Sequence, residues 1–231
     1  AMTIDRDPML QEHLRKVAEE DFAFATEKFE REGFDLFKQM YEHSYNTSES
    51  QYMATISWSA SMLYKLTGKA YYAEKAAETI RYVLACQRTK PLQDPEKTCG
   101  FFYRDQSGKS IVHYIHQSRE QVYMQAMTLL CETQKQHPDY QKWVNSIQLY
   151  GNYLKGLMKY TRPYGMIPSG VYHAEEYSDS ASFYALHLFP PANARQLYTE
   201  QVKRGVKLDK EHYLKRFPVW FSIFNGNTAI H

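Results

Sequence analysis

No stretch of the 231-residue chain approaches the run of about 18 apolar residues that a membrane-spanning helix needs, so no membrane span is expected. Basic runs are missing too. The formal net charge is +2, and Lys and Arg nowhere form a track long enough to follow a phosphate backbone, which argues against nucleic acid as a partner. Cysteine is scarce. Cys86, Cys99 and Cys131 form no CxxC pair, which argues against a metal knuckle, and their odd number argues against a disulfide framework. Cys86 and Cys131 fall in apolar helical runs and read as core thiols. No HExxH motif is present. His113, His116 and Glu120 have i, i+3, i+7 spacing, a weak metal pattern by itself, and neither a metal nor a cofactor is expected. Ala1-Met2 reads as a cloning remnant, and no signal-peptide pattern follows it.

Apolar residues and helical periodicity are plentiful. Apolar side chains make up 43% of the chain, enough for a core, and aromatics 15%, with 20 tyrosines as the main excess. Tyrosine combines a flat apolar face with a polar tip, which suits sugar rings and helix packing alike. Residues 9–33 carry Leu10, Leu14, Val17, Ala18, Phe22, Ala25 and Phe29 at helical spacing, with Pro8 at the start and Gly33 as the stop. Residues 34–50 read as a polar surface loop with an aromatic beginning. Helices are expected over 51–67, closed by Gly68, and over 70–88. Pro91 and Pro95 mark the loop 89–99. Phe101-Phe102-Tyr103 reads as a short extended piece, and Asp105-Gln106-Ser107-Gly108 as a turn. Further helices are expected over 114–134 and 138–160, with Pro163 and Gly165 ending the second. Residues 178–190 are ambiguous, a helix start cut by Pro190-Pro191. Helical pattern returns over 192–205 and 211–224, interrupted near Pro218. The final NGNTAIH, residues 225–231, has the look of an entrance to another helix.

Two polar clusters flank the central hairpin. The first runs from Gly100 through RDQSGKSIVHYIHQSRE, the second is TRPYGMIPSGVYHAEEY, ending at Tyr177. A helical hairpin between them can bring both to one rim. A repeat is also visible. LYKLTGKAYY at 63–72 and LCETQKQHPDY at 130–140 each join an apolar helix end, a polar turn and an aromatic at the next helix start. Any two helical hairpins share that much. A stack of them is an all-α toroid or solenoid.

The phrase LYKLTGKAYYAEKAAETIRYVLACQ, and the pairing of HQSREQVYMQAMTLL with PYGMIPSGVY, resemble the hairpins of the six-hairpin, (α/α)6-toroid glycosidases and related polysaccharide lyases. The resemblance covers most of residues 51–172. It implies an all-α fold of antiparallel helical hairpins forming part or all of an (α/α)6 toroid, in a single domain over 1–231. A full toroid has twelve helices, more than this sequence supplies, so the reading includes truncation at the C-terminus. The resemblance also implies a glycoside hydrolase with a carbohydrate substrate, and a periplasmic or secreted location. The DAGD-type motif of the endoglucanase-like members is absent, so their catalytic residues do not carry over.

Glycoside hydrolysis needs two carboxyl groups across the scissile bond, one protonated and one ionised. The catalytic candidates are Asp105, Glu120 and Glu175, with Glu176 and Asp179 nearby. Each has a plainer role open to it: a turn former for Asp105, a packing pair with His116 one helical turn away for Glu120, a solvated loop for Glu175. His116, Arg119, Tyr164, Tyr172, His173 and Trp220 are the candidates for holding substrate. Tyr or His as a proton-abstracting base, with Arg119 neutralising a carboxylate, keeps a uronate lyase or unsaturated-uronide hydrolase as the alternative. A non-catalytic helical-repeat scaffold is the third reading. Trp58 and Trp143 sit inside helices and read as core. Trp220, just after Pro218, reads as the better sugar platform.

Overall fold

A computed structural model describes residues 7–45, 48–92, 97–112, 121–158, 163, 165, 170–173, 188–189 and 219–222. These residues are mostly helical. The helices are α1 (Pro8–Tyr45), α2 (Glu49–Thr67), α3 (Ala70–Ala85), α4 (Gln121–Thr133) and α5 (Tyr140–Met158), and the strands β1 (Gly170–His173), β2 (Leu188–Phe189) and β3 (Val219–Ser222) form a small sheet. The chain divides into two compact units, one of Ala1–Ala85 with Gln121–Asn145, the other of Cys86–Glu120 with Ser146–His231.

In the first unit α2 and α3 form an antiparallel hairpin. Ser48 starts α2 with a capping box: its side chain accepts the Gln51 N–H, and the Gln51 side chain accepts the Ser48 N–H. Two of the helix's otherwise orphaned donors are thereby satisfied. Gly68 ends α2 in the left-handed conformation and donates its N–H to the Tyr64 carbonyl at 2.8 Å. The two helices approach closely because alanines line the seam. Ala54, Ala60 and Ala76 are fully buried, and the buried Ser57 hydroxyl donates to the Ala76 carbonyl at 2.9 Å. Ile80, Val83, Met127, Leu130 and Trp143 complete the core, each wholly excluded from solvent. A fully buried aliphatic side chain contributes about 1.5–3 kcal/mol, so these few residues hold the unit together. The α4–α5 turn is tied to α3 by the Gln134 amide, which donates to the Ala73 carbonyl at 3.1 Å.

The second unit begins with three short antiparallel segments. The Arg88 N–H donates to the Phe101 carbonyl and the Tyr103 N–H to the Cys86 carbonyl, each at 2.9 Å, and the Val112 N–H donates to the Phe102 carbonyl at 2.8 Å. The expected extended piece at 101–103 is the middle segment. Phe101 and Phe102 are buried against Tyr153 and Tyr150 of α5. The buried Gln87 amide is fully used: it donates to the Gly100 and Ser146 carbonyls and accepts from the Ser146 hydroxyl at 2.6 Å. The sheet has the order β1-β3-β2, antiparallel throughout.

Three sequence expectations change here. The segment from Phe34 was read as loop, yet α1 extends to Tyr45 with a break at Gly33 (φ 72, ψ −174). The stop at Gly33 is real in the backbone. Helix resumes because DLFKQMYEH is made of residues that tolerate it, and the Ser/Asn/Thr content that suggested a loop begins only at Ser44. The helix expected over 211–224 is overturned at Val219–Ser222, which is strand. Pro218 denies a helix its N–H, and Val-Trp-Phe favours a pleated surface. The ambiguous 178–190 contains a strand at Leu188–Phe189. The all-α expectation is therefore met as a mostly helical chain with one small sheet. The helix expected over 192–205 lies outside the described residues.

Candidate functional site

The densest buried polar grouping among the described residues lies at the N-terminal end of α2, in the first unit. Ser48, Ser50 and Gln51 are all buried, Ser50 completely. The Ser48 and Ser50 hydroxyls are 3.2 Å apart, and Ser50 shares a 2.8 Å hydrogen bond with the hydroxyl of Tyr123, itself fully buried in the first turn of α4. A chain of three hydroxyls thus joins the α2 and α4 N-termini. Beside it Tyr82 of α3 donates to the Glu49 carboxylate at 2.6 Å. Hydroxyls that can each donate or accept, next to a phenol–carboxylate pair, suit a polyhydroxylated ligand. They serve equally well to lock three helix ends in register.

Asp105 sits in the second unit, in the expected turn. Its carboxylate accepts the Ser107 N–H at 2.7 Å, and its carbonyl faces the Gly108 N–H at 3.5 Å. The side chain mimics a backbone turn, so its carboxylate already has structural work. Glu120 and Glu175, and with them His116, Arg119 and Tyr164, lie outside the described residues, as does the rim on which they were expected to meet.

The sheet brings other candidates together. In the β1–β3 register Tyr172 is the partner of Trp220, and His173 the partner of Val219. Positions directly opposite in an antiparallel pair share a face, and successive positions alternate. Tyr172 and Trp220, remote in sequence, therefore occupy neighbouring positions on one face. His173 falls on the other, with Val171, Val219, Phe221 and, from β2, Phe189.

Sequence reasoning missed Glu49, Ser50, Tyr82 and Tyr123. The S-x-x-Q pattern of Ser48 and Gln51 was the available signal. Tyr123 gave none, because a tyrosine at an apolar helical position looks like core. Burial first, then the Glu30 charge, pushes the Tyr52 phenol up to about 12. Among the described residues no three His, Cys, Asp or Glu side chains are grouped as a metal would require. No helix among them is long and apolar enough to cross a membrane. No protein-family model, curated protein or solved structure matches the chain.

Proposed function

We propose that the chain is a glycoside hydrolase of helical-hairpin build, its helices part or all of an (α/α)6 toroid, acting on a poly- or oligosaccharide outside the cytoplasm. The observation that supports this reading is the register that makes Tyr172 the partner of Trp220. That register sets an aromatic residue type at two neighbouring positions of the sheet, and flat aromatic faces with a polar tip suit a pyranose ring. The general acid and base fall to Glu120 and Glu175, since the Asp105 carboxylate holds its own turn. Arg119, His116 and Tyr164 serve as donors to sugar hydroxyls.

The test is a panel of oligosaccharides, followed by reducing-end release and by the absorbance of unsaturated products. Reducing ends without unsaturation are expected. Glu120→Gln should lower turnover by about two orders of magnitude or more, the scale of a lost general acid or base, with an unchanged melting temperature. Trp220→Ala should raise KM more than it lowers kcat. Unsaturated products would replace the hydrolase by a lyase. No product from any glycan would end the enzyme reading and leave the helical scaffold.

A further inference from the structure

Helix α1 is anchored along its first part. Glu19 pairs with Lys69, Phe22 meets Tyr72 edge-on at 5.5 Å, and Lys75 reaches Glu30 at 2.7 Å, so α1 runs in the direction of α3. Since Ser57 bonds to Ala76 and Tyr82 to Glu49, α2 runs opposite to α3, and therefore opposite to α1. Phe29 stacks on Tyr52 at 4.5 Å, which sets these two residues level. Gly33 lies four residues beyond Phe29, and Ser48 four residues before Tyr52. Both steps cover about 6 Å in the same direction at the helical rise. Gly33 and Ser48 thus stand at about the same height at one end of the helix pair.

Past Gly33 the rest of α1, to Tyr45, is about 18 Å of helix. Three peptide steps then separate Tyr45 from Ser48, a reach of about 11 Å at full extension. A straight α1 would carry Tyr45 about 18 Å past the level of Ser48, and the chain could not return to the α2 cap. The break at Gly33 resolves the conflict. Its backbone (φ 72, ψ −174) is in a region essentially confined to glycine. A Cβ built there meets nothing within 4 Å, so the backbone alone, not packing, reserves the position.

We propose that α1 and the α2 N-terminus form a two-position device with Gly33 as its pivot: a bent α1 accompanies a capped α2, and a straight α1 accompanies an uncapped one. In the second position the first turn of α2, from Ser48 to about Tyr52, unwinds to give the chain the length it needs, and the Ser48–Ser50–Tyr123 hydroxyl chain opens with it. Whatever favours the straight helix uncovers those hydroxyls, and whatever binds the closed hydroxyl chain favours the bend, because coupling between two sites is reciprocal. The device stands independently of the glycan reading.

Hydrogen exchange read by mass spectrometry on the full chain tests it. In Gly33→Ala the bent conformation is penalised, and the amides of Gln51 and Tyr52, which bond to Ser48, should exchange about tenfold faster or more. The amides of 34–37 should exchange more slowly, because the first turn after a break lacks full helical partners and a continuous helix supplies them. Amides of Ala76–Ile80 should not change. Faster exchange at 34–37 with Gln51 and Tyr52 unaffected would mean that the arm simply melts, and would overturn the proposal. Should Gly33→Ala lose cooperative folding, Ser48→Ala decides: it removes the cap from the other side and should slow exchange at 34–37. Unchanged exchange there would overturn the coupling.

Discussion

At the scale of single residues, Tyr52 ties its titration to the packing of α2 on α1. Its hydroxyl donates to the Ala25 carbonyl of α1 at 3.0 Å, and burial, reinforced by the Glu30 charge, pushes its phenol up to about 12 from the ordinary 10. The unfolded chain therefore loses this proton first. The stability that the neutral phenol supplies is complete below the ordinary tyrosine value and is lost as pH rises toward about 12. Urea unfolding across this range should show a declining alkaline limb in the native protein. Tyr52→Phe should make that limb shallower, Tyr72 and Tyr103 being raised by burial as well, and cost about 1 kcal/mol at neutral pH through the lost hydrogen bond. A limb of unchanged steepness would assign it to the other groups. How far individual residues could be read in advance depended on where their partners lie. Asp105 was legible as a turn former because Asp-Gln-Ser-Gly makes its bonds within three residues. Tyr123 was not, because its partner Ser50 is 73 residues away and no local pattern encodes that distance.

At the scale of elements, the loop from the first to the second extended segment meets α5 at Gly100. This glycine has φ +102, and a Cβ there would lie 2.6 Å from the Leu149 carbonyl oxygen and 2.9 Å from the Tyr153 Cβ. Neither obstacle is a flexible chain end. Gly100→Ala combines backbone strain with overpacking, and roughly 3 kcal/mol or more of destabilisation is expected. Calorimetry should show a melting point lower by about 10 °C, and an unchanged value would mean that the loop does not sit against α5 as described. Helix interiors were legible from apolar spacing, as in α2, α3 and α5, whose ends fall within a few residues of expectation. The continuation of α1 was not, because Gly33 is a strong stop signal and only the tertiary return to Ser48 shows that it acts as a bend. The strands at 188–189 and 219–222 were not legible either. Each is too short to show a period of two, and VWFS matches a helical apolar face as well as a strand.

At the scale of the whole molecule, helical periodicity predicted a mostly helical chain, and α1 to α5 bear that out among the described residues. The far-UV circular dichroism of the full chain should be dominated by helix, with the small sheet a minor contribution. A strand-dominated spectrum would contradict the assignment of the described helices. The grouping into two units was not foreseen, since a run of hairpins looks uniform along the sequence, while the division follows which segments fold back on one another. Trp143 has an optical consequence. It is fully buried at the start of α5, its indole Nε1 has no hydrogen-bond partner among the described residues, and the His137 ring stacks on it at 4.7 Å. An indole without water or a hydrogen bond emits toward the blue, whereas Trp58, more than a third exposed, emits toward the red. The protein therefore carries a natural fluorophore on the α4–α5 turn, whose colour and lifetime report, without any added label, whether that turn is closed.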